Sequence, residues 1–379
     1  MFNKKIRICH ITSAHPSYDM RIFQKECSTL ATCDEFEVFL VAPGESRSEN
    51  GVSVIGLGNC NRGRMCRMLF VSRKAYIVAK RLKADIYHIH DPELLVYAKK
   101  MKTSSNIVIF DSHENYPKQI LEKAYLPILL RKTISKFYKN YESAVVKKID
   151  ATIIPGLTAG NDPFEGRCKR TVIIDNYPIL NPSRKYIKRK REIPVKICYV
   201  GSLTKERGIT QLVLACYEAK AKLILAGKFS PEEYKNEIFD MPESICVEYK
   251  GYCNYDEITS IYAEADIGAA TLLKVGQYKL MGNLPTKTYE YMQVGLPIIM
   301  TDTDYNIKLM EKENFAYLVD PIDIQKMVKL INYIADNYEE AVRKAQLGYE
   351  LVKKKYNWCN ESKKLIELYK ELIKIKRES

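Results

Sequence analysis

"YVGSLTKERGITQLVLA", residues 199–215, reads as a strand, a loop and a helix in immediate succession. Tyr199 and Val200 close an apolar run, Gly201 turns the chain, and Lys205 and Arg207 charge the loop. Gly208 then precedes apolar residues at helical spacing. A strand that feeds a helix is the unit from which parallel sheets are built, because a parallel return needs a long crossover. The backbone amides of a helix start, with two cations beside them, make a cradle for a diphosphate. The plainer reading is a charged loop capped by glycine. Neither G-x-G-x-x-G nor G-x-x-x-x-G-K-[ST] occurs, so no dinucleotide fingerprint or P-loop is expected.

The same rhythm runs along the chain. Strands are expected at Ile6–Thr12, Glu37–Ala42, Asp85–His90, Ile107–Asp111, Ala151–Pro155 and Thr171–Asp175, with helical patterns at Arg64–Lys83 and Leu126–Lys148. After a proline- and charge-rich stretch, a second series follows: Val195–Val200, Lys222–Ala226, Ile245–Tyr249, Ile267–Ala270, Pro297–Thr301 and Ala316–Val319. Long charged helices begin near Asp323. Apolar strands alternating with amphipathic helices imply α/β architecture, two doubly wound Rossmann-like domains. The boundaries drawn are 1–178 for the first domain, 179–193 for a basic linker and 194–355 for the second domain. Open parallel sheets bind ligands beyond the carboxyl ends of their strands. His90-Asp91, Asp111-Ser112-His113-Glu114, Gly201-Ser202 and Gly227-Lys228 all stand at such ends.

A chain of 379 residues, 46% hydrophobic and 28% charged, is globular and long enough for two cores. No apolar run approaches the ~20 residues of a membrane span. The eleven cysteines form no C-x-x-C pair, which favours reduced thiols and a cytoplasmic setting. The net charge of +14 is unevenly spread. Residues 1–178 hold 28 bases and 18 acids, 179–193 hold six and one, and 194–379 hold 26 and 27. A basic first half expects an anionic partner.

"NLPTKTYEYMQVGLPIIMTD", residues 283–302, is a short helix running into a buried strand. Pro285 suits its first position and Gly295 its end. Lys287 and Glu290, its sole base and acid, lie three apart and share a face. A surface ion pair would account for them. The alternative is a grip: the cation near the positive helix end takes a diphosphate, and the acid, five residues past Pro285 and so roughly 7–8 Å along the axis from it, accepts two ribose hydroxyls.

These two stretches resemble the donor-binding elements of glycosyltransferase family 4, which has the GT-B fold. "HITSAHPSYDMRIFQKECSTL", "HIHDPELL" and "FDSHENYP" are similar to the N-terminal domains of members that build bacterial surface polysaccharides of capsular or O-antigen type. "YNWCNESKKLIELYKEL" resembles the closing helix that crosses back to the first domain, here 356–379. The resemblance implies a donor site of Gly201, Ser202, Lys205, Arg207, Gly227, Thr286, Lys287 and Glu290. It assigns catalytic roles to His113, beside the transferred sugar, and to Arg207, Lys287 and Glu290. Two departures stand out. Gly282 occupies the place of the family's first glutamate, and Ser202 that of an arginine, whose charge Lys287 of the Pro285-Thr286-Lys287 element then supplies. The implied reaction is retaining transfer from a nucleotide-diphosphate sugar, most often a UDP-sugar, to a lipid-linked saccharide, with no metal cofactor.

Acceptor contacts are expected from His15, Asp19 and Arg21 after the first strand, and from His90 and Asp91. His88 and His90 point the same way from one strand, which is a ligand spacing, but satisfied strand-end histidines are commoner and no metal site is expected. Leu126–Lys148 carries an apolar stripe (Leu126, Leu129, Ile134, Phe137, Tyr141, Val145) beside six bases and one acid. It is either a core-packed helix or a dock on the anionic inner face of the cell membrane. Two rival readings stand beside this one. A nucleotide-sugar epimerase would share the fold and donor site. A basic nucleic-acid binder would set aromatic stacking platforms among its bases, which 27 tyrosines allow, although no recognised nucleic-acid motif occurs.

Overall fold

The computed structural model describes residues 5–58, 67–123, 126–157, 161–182, 184–187, 193–280 and 282–378. The start of the Arg64–Lys83 pattern and the linker bases Lys188, Arg189, Lys190 and Arg191 lie outside the described residues. The chain divides into two compact units, Met1–Asn176 with Trp358–Ser379, and Tyr177–Asn357.

The first unit holds an eight-stranded sheet: β1 (Ile6–Ile11), β2 (Phe36–Ala42), β3 (Arg47–Glu49), β4 (Val52–Gly56), β5 (Ile86–Ile89), β6 (Ile107–Asp111), β7 (Ala151–Ile154) and β8 (Thr171–Ile173). Its spatial order is β3-β4-β2-β1-β5-β6-β7-β8, parallel except for the β3–β4 hairpin. That hairpin is absent from the sequence reading. Its turn is Asn50-Gly51 at φ +52° and +75°, the dipeptide whose positive φ angles suit a two-residue hairpin. The chain builds outward from β1 through β2 to β4, then returns to lay β5 on β1's other side. Ligand sites in doubly wound sheets form at such reversals. Both faces of the sheet are covered. On one, Leu365, Leu368, Tyr369 and Leu372 of the Trp358–Glu378 helix join Ile8, Phe23, Leu40 and Ile109. Their spacing of three, four and seven is one helical stripe.

The second unit holds β9 (Lys196–Val200), β10 (Lys222–Ala226), β11 (Val247–Gly251), β12 (Ile267–Ala270), β13 (Ile298–Thr301) and β14 (Tyr317–Val319). All pairs are parallel, in the order β11-β10-β9-β12-β13-β14, so the reversal lies between β9 and β12. Five of these strands lie where the sequence expects them. The strand expected at Ile245–Tyr249 shifts, because Pro242 opens a tight turn over Pro242–Cys246 and leaves Ile245 in solvent. Both units are therefore doubly wound α/β. Among the described residues no helix is long and apolar enough to cross a membrane.

Candidate active site

In the second unit the expected donor residues gather at the β9–β12 reversal. Gly201 and Gly227 end their strands at φ +132° and +141°, and a Cβ on Gly227 would stand 1.8 Å from the Gly201 carbonyl oxygen. Only glycine permits that backbone-to-backbone approach. Arg207 lies over the Tyr278 ring, its guanidinium carbon 5.8 Å from the ring centre.

The helix Thr286–Gln293 begins just after Pro285, one residue later than the sequence suggests, and carries Lys287 and Glu290. Lys287 is 6% exposed, its Nζ lies 3.0 Å from the centre of the Tyr199 ring, and that ammonium has no hydrogen-bond partner. Burial, and then the charge of Arg207, hold its pKa well below the usual lysine value. A Cβ at position 201 would stand 3.4 Å from the same nitrogen, so the strand-end glycine adjoins the buried cation. A desolvated lysine with an arginine beside it favours an anion strongly.

Glu290 is not a free carboxylate. The Tyr262 hydroxyl donates to its Oε2 at 2.5 Å, and Arg184 Nη1 lies 3.6 Å from its Oε1. Arg184 is itself buried against the rings of Tyr255 and Tyr262. The carboxylate is thus held in place, 27% exposed, with lone pairs left for a diol. Neither Arg184 nor Tyr262 belongs to the sequence reading. Lys205 departs from the expected pair of loop cations: it reaches Glu237 on the surface at 2.6 Å. Ser202 and Thr286 are exposed. Further along, Lys274 bridges Asp302 and Asp320 at 2.9 and 2.8 Å.

In the first unit the reversal between β1 and β5 brings together His15, Asp19, Arg21, His90, Asp91 and His113. Asp91 accepts from the Ser13 amide at 2.5 Å and the Thr12 hydroxyl at 2.9 Å, which fixes the loop after β1. His15 meets Asp19 at 3.2 Å and its ring lies 4.9 Å from that of His113. Burial opposes charging of His15, but the Asp19 hydrogen bond and the charges of Asp91 and Asp111 prevail and raise its pKa. Arg21, His90 and Asp91 are buried, so of this group only His15, Asp19 and His113 reach solvent. Arg21 grips Asp111 through two nitrogens at 3.0 and 3.2 Å and donates to the Ile174 carbonyl. Its charge outweighs burial and holds the Asp111 carboxyl well below the carboxylate range. His90 Nδ1 shares a hydrogen bond of 3.2 Å with His113 Nε2. Burial pushes His90 down to about 4. Two groups among the described residues have ligand spacing for a metal: His10, Glu26, His88 and His90, and His90, Asp111 and His113.

Residues 183–350 match the family described as glycosyl transferases group 1. The match lies wholly in the second unit and takes in Arg184, Gly201, Arg207, Gly227, Lys287 and Glu290. No curated protein matches the chain in sequence. Solved structures do match its fold. Sucrose-phosphate synthase from Thermosynechococcus elongatus superposes with a TM-score of 0.74 at 15% identity, over 98% of this chain and all of that one. HepE from Anabaena, in complex with UDP and glucose, gives 0.66 at 13%, over 97% of this chain and all of that one. WaaG, a glycosyltransferase involved in lipopolysaccharide biosynthesis, gives 0.65 at 13%, over 94% and 98%. The fold is GT-B. A glycosyl transferases group 1 domain on this fold supports glycosyl transfer from a nucleotide sugar.

Proposed function

We propose that this chain is a retaining glycosyltransferase of family 4. It moves a sugar from a nucleotide-diphosphate sugar, a UDP-sugar, to a lipid-linked saccharide in surface polysaccharide assembly of capsular or O-antigen type. The observation that carries this reading is Lys287, a buried ammonium without a partner beside Gly201 and Arg207. Its desolvation is costly in the free protein and is repaid by a doubly charged phosphate group. Arg207 and Lys287 together hold the diphosphate and stabilise it as it leaves, the role a divalent metal fills elsewhere. Glu290, steadied by Tyr262 and Arg184, accepts from the ribose diol. His113 stands beside the transferred sugar, with His15 and Asp19 on the acceptor side. Arg21, His90 and Asp91 position those groups from below. Catalysis then consists of positioning and leaving-group stabilisation, with no protein nucleophile. A UDP donor is supported by the fold's likeness to HepE, whose structure holds UDP and glucose.

The chain works in the cytoplasm at the inner face of the cell membrane. The Ile128–Val146 helix leaves Ile128, Leu129 and Phe137 77, 92 and 77% exposed beside Arg131, Lys132, Lys136 and Lys139. An exposed apolar edge set among bases fits an anionic leaflet.

Screening nucleotide sugars for thermal stabilisation, then for turnover with lipid-linked acceptors, tests the reading. Turnover should survive chelator added to the assay and collapse in Arg207→Ala and Lys287→Ala. Interconversion of the donor without acceptor would make the protein an epimerase instead. Absence of stabilisation by any nucleotide sugar would sink both.

A further inference from the structure

The first unit contains a buried constellation of which the proposed transfer reaction uses only His90, and that only for positioning. His10 lies on β1, His88 and His90 lie on β5, and Glu26 lies on the helical segment Met20–Cys27. All four side chains are shut off from solvent. Glu26 Oε2 stands 3.8 Å from both His10 Nδ1 and His90 Nε2, and the His88 ring comes within 3.9 Å of the same oxygen. One ligand atom from each of the four lies within 4.8 Å of all the others.

The way the other ring nitrogens are occupied is informative. His10 Nε2 and His88 Nδ1 both meet the Tyr369 hydroxyl, at 3.3 and 2.7 Å. His90 Nδ1 meets His113 at 3.2 Å, with Asp111 at 3.6 Å. His10 and His90 thus each have one nitrogen held by an outer partner and the other facing Glu26, whereas the His88 nitrogen nearest Glu26 is Nδ1, the one that also meets Tyr369. His88 Nε2 has no hydrogen-bond partner at all, and neither oxygen of Glu26 accepts a hydrogen bond, although Arg21 Nε lies 3.1 Å from Oε1. Outer partners that fix the ring while the inner nitrogen faces a carboxylate are the arrangement of metal-ligating histidines. Buried polar atoms without partners are rare and call for a missing one.

We propose that His10, His88, His90 and Glu26 form a closed site for a divalent transition metal of the zinc class, which ties β1, β5 and the Met20–Cys27 segment together. Three imidazoles and a carboxylate are ligands that zinc accepts, and a closed four-ligand shell is the structural kind. Bonds of about 2.0–2.1 Å in a tetrahedron set ligand atoms about 3.3 Å apart. The 3.8 Å separations would contract by about half an ångström and the 2.9 Å contact between His10 and His90 would widen by about as much. His88 would ligate through Nδ1 by exchanging the Tyr369 hydroxyl for the ion. The ion would hold His90, and through it His113, without touching a substrate.

The inference is independent of the activity proposed above, and chelator added during an assay does not test it, because a site closed to solvent exchanges slowly. The test is elemental analysis of the full chain, purified without a polyhistidine tag, followed by cobalt substitution. About one zinc-class ion per chain is expected, with the intense visible absorption of tetrahedral cobalt in the substituted protein. Glu26→Gln and His88→Gln should lose the ion while circular dichroism still shows a cooperative melt of the first unit, which separates loss of the site from loss of the fold. His113→Gln should keep it. A chain that holds no metal and is not stabilised by added zinc or cobalt would overturn the proposal. So would an ion lost in His113→Gln and kept in His88→Gln, which would place it on His90, Asp111 and His113.

Discussion

Burial, and then the charge of Arg207, hold the Lys287 pKa well below its usual value in the free protein, whereas a bound diphosphate would raise it again. The sign follows directly. Above its depressed pKa the free lysine lacks a proton that the complex holds, so UDP binding takes up a proton and affinity falls as pH rises through that window. Calorimetry in buffers of different ionisation enthalpy should show this uptake at pH values between the depressed pKa and the ordinary lysine value. Lys287→Met should bind weakly and without it; equal proton uptake in the variant would assign the linkage elsewhere. Glu290 gives a second residue-scale test. Glu290→Gln removes a charge-assisted bond to the ribose, at about 1.5–3 kcal/mol, or roughly ten- to over a hundredfold in UDP affinity. Unchanged affinity would release Glu290 from that role. Lys287 and Glu290 were legible in the sequence because both sit in one short helix with fixed spacing. Arg184 and Tyr262 were not, because they reach Glu290 from distant segments and no local period marks them. Lys205 misled for the opposite reason: proximity to Arg207 in sequence says nothing of Glu237, which claims it on the surface.

Helices and strands were legible wherever one period ran unbroken, as in β9, β10, β12 and the Trp358–Glu378 helix. They were harder to read where tertiary contacts divide an element. The Ile128–Val146 helix has a continuous apolar stripe in sequence, yet only its end is buried, at Val145 and Val146, while Leu129 and Phe137 stand in solvent. The β3–β4 hairpin was missed because Arg47–Glu49 is polar throughout, although Asn50-Gly51 announced the turn. The exposed end of the long helix makes a prediction at this scale. Each base near an anionic leaflet contributes about 1 kcal/mol, so three charge reversals remove most of the attraction. Lys132, Lys136 and Lys139 changed together to glutamate should abolish co-sedimentation with anionic vesicles and spare UDP affinity. Binding in the parent should weaken at high salt. Indifference of vesicle binding to the three changes would deny the helix this role.

At the scale of the whole molecule, the chain leaves its first unit at Asn176 and returns to it at Trp358. The returning helix is part of the first unit's core. Trp358, Leu365, Leu368, Tyr369 and Leu372 are all buried there. At about 1.5–3 kcal/mol for each large apolar side chain, the five together rival the ~5–15 kcal/mol that holds an ordinary domain folded. Removing the chain from Trp358 onward should therefore unfold the first unit. The second unit, Tyr177–Asn357, keeps its own sheet and both faces of its core. It also keeps Gly201, Arg207, Lys287 and Glu290, so the truncated protein should lose transfer but still bind UDP. A milder variant separates packing from truncation. Leu368→Ala leaves a cavity costing about 2–5 kcal/mol, and should lower the melting temperature of the first unit without moving UDP affinity. Circular dichroism and UDP titration of both proteins decide the matter. If nucleotide binding disappears with the terminal helix, the donor site depends on the first unit, and the division of labour argued here fails.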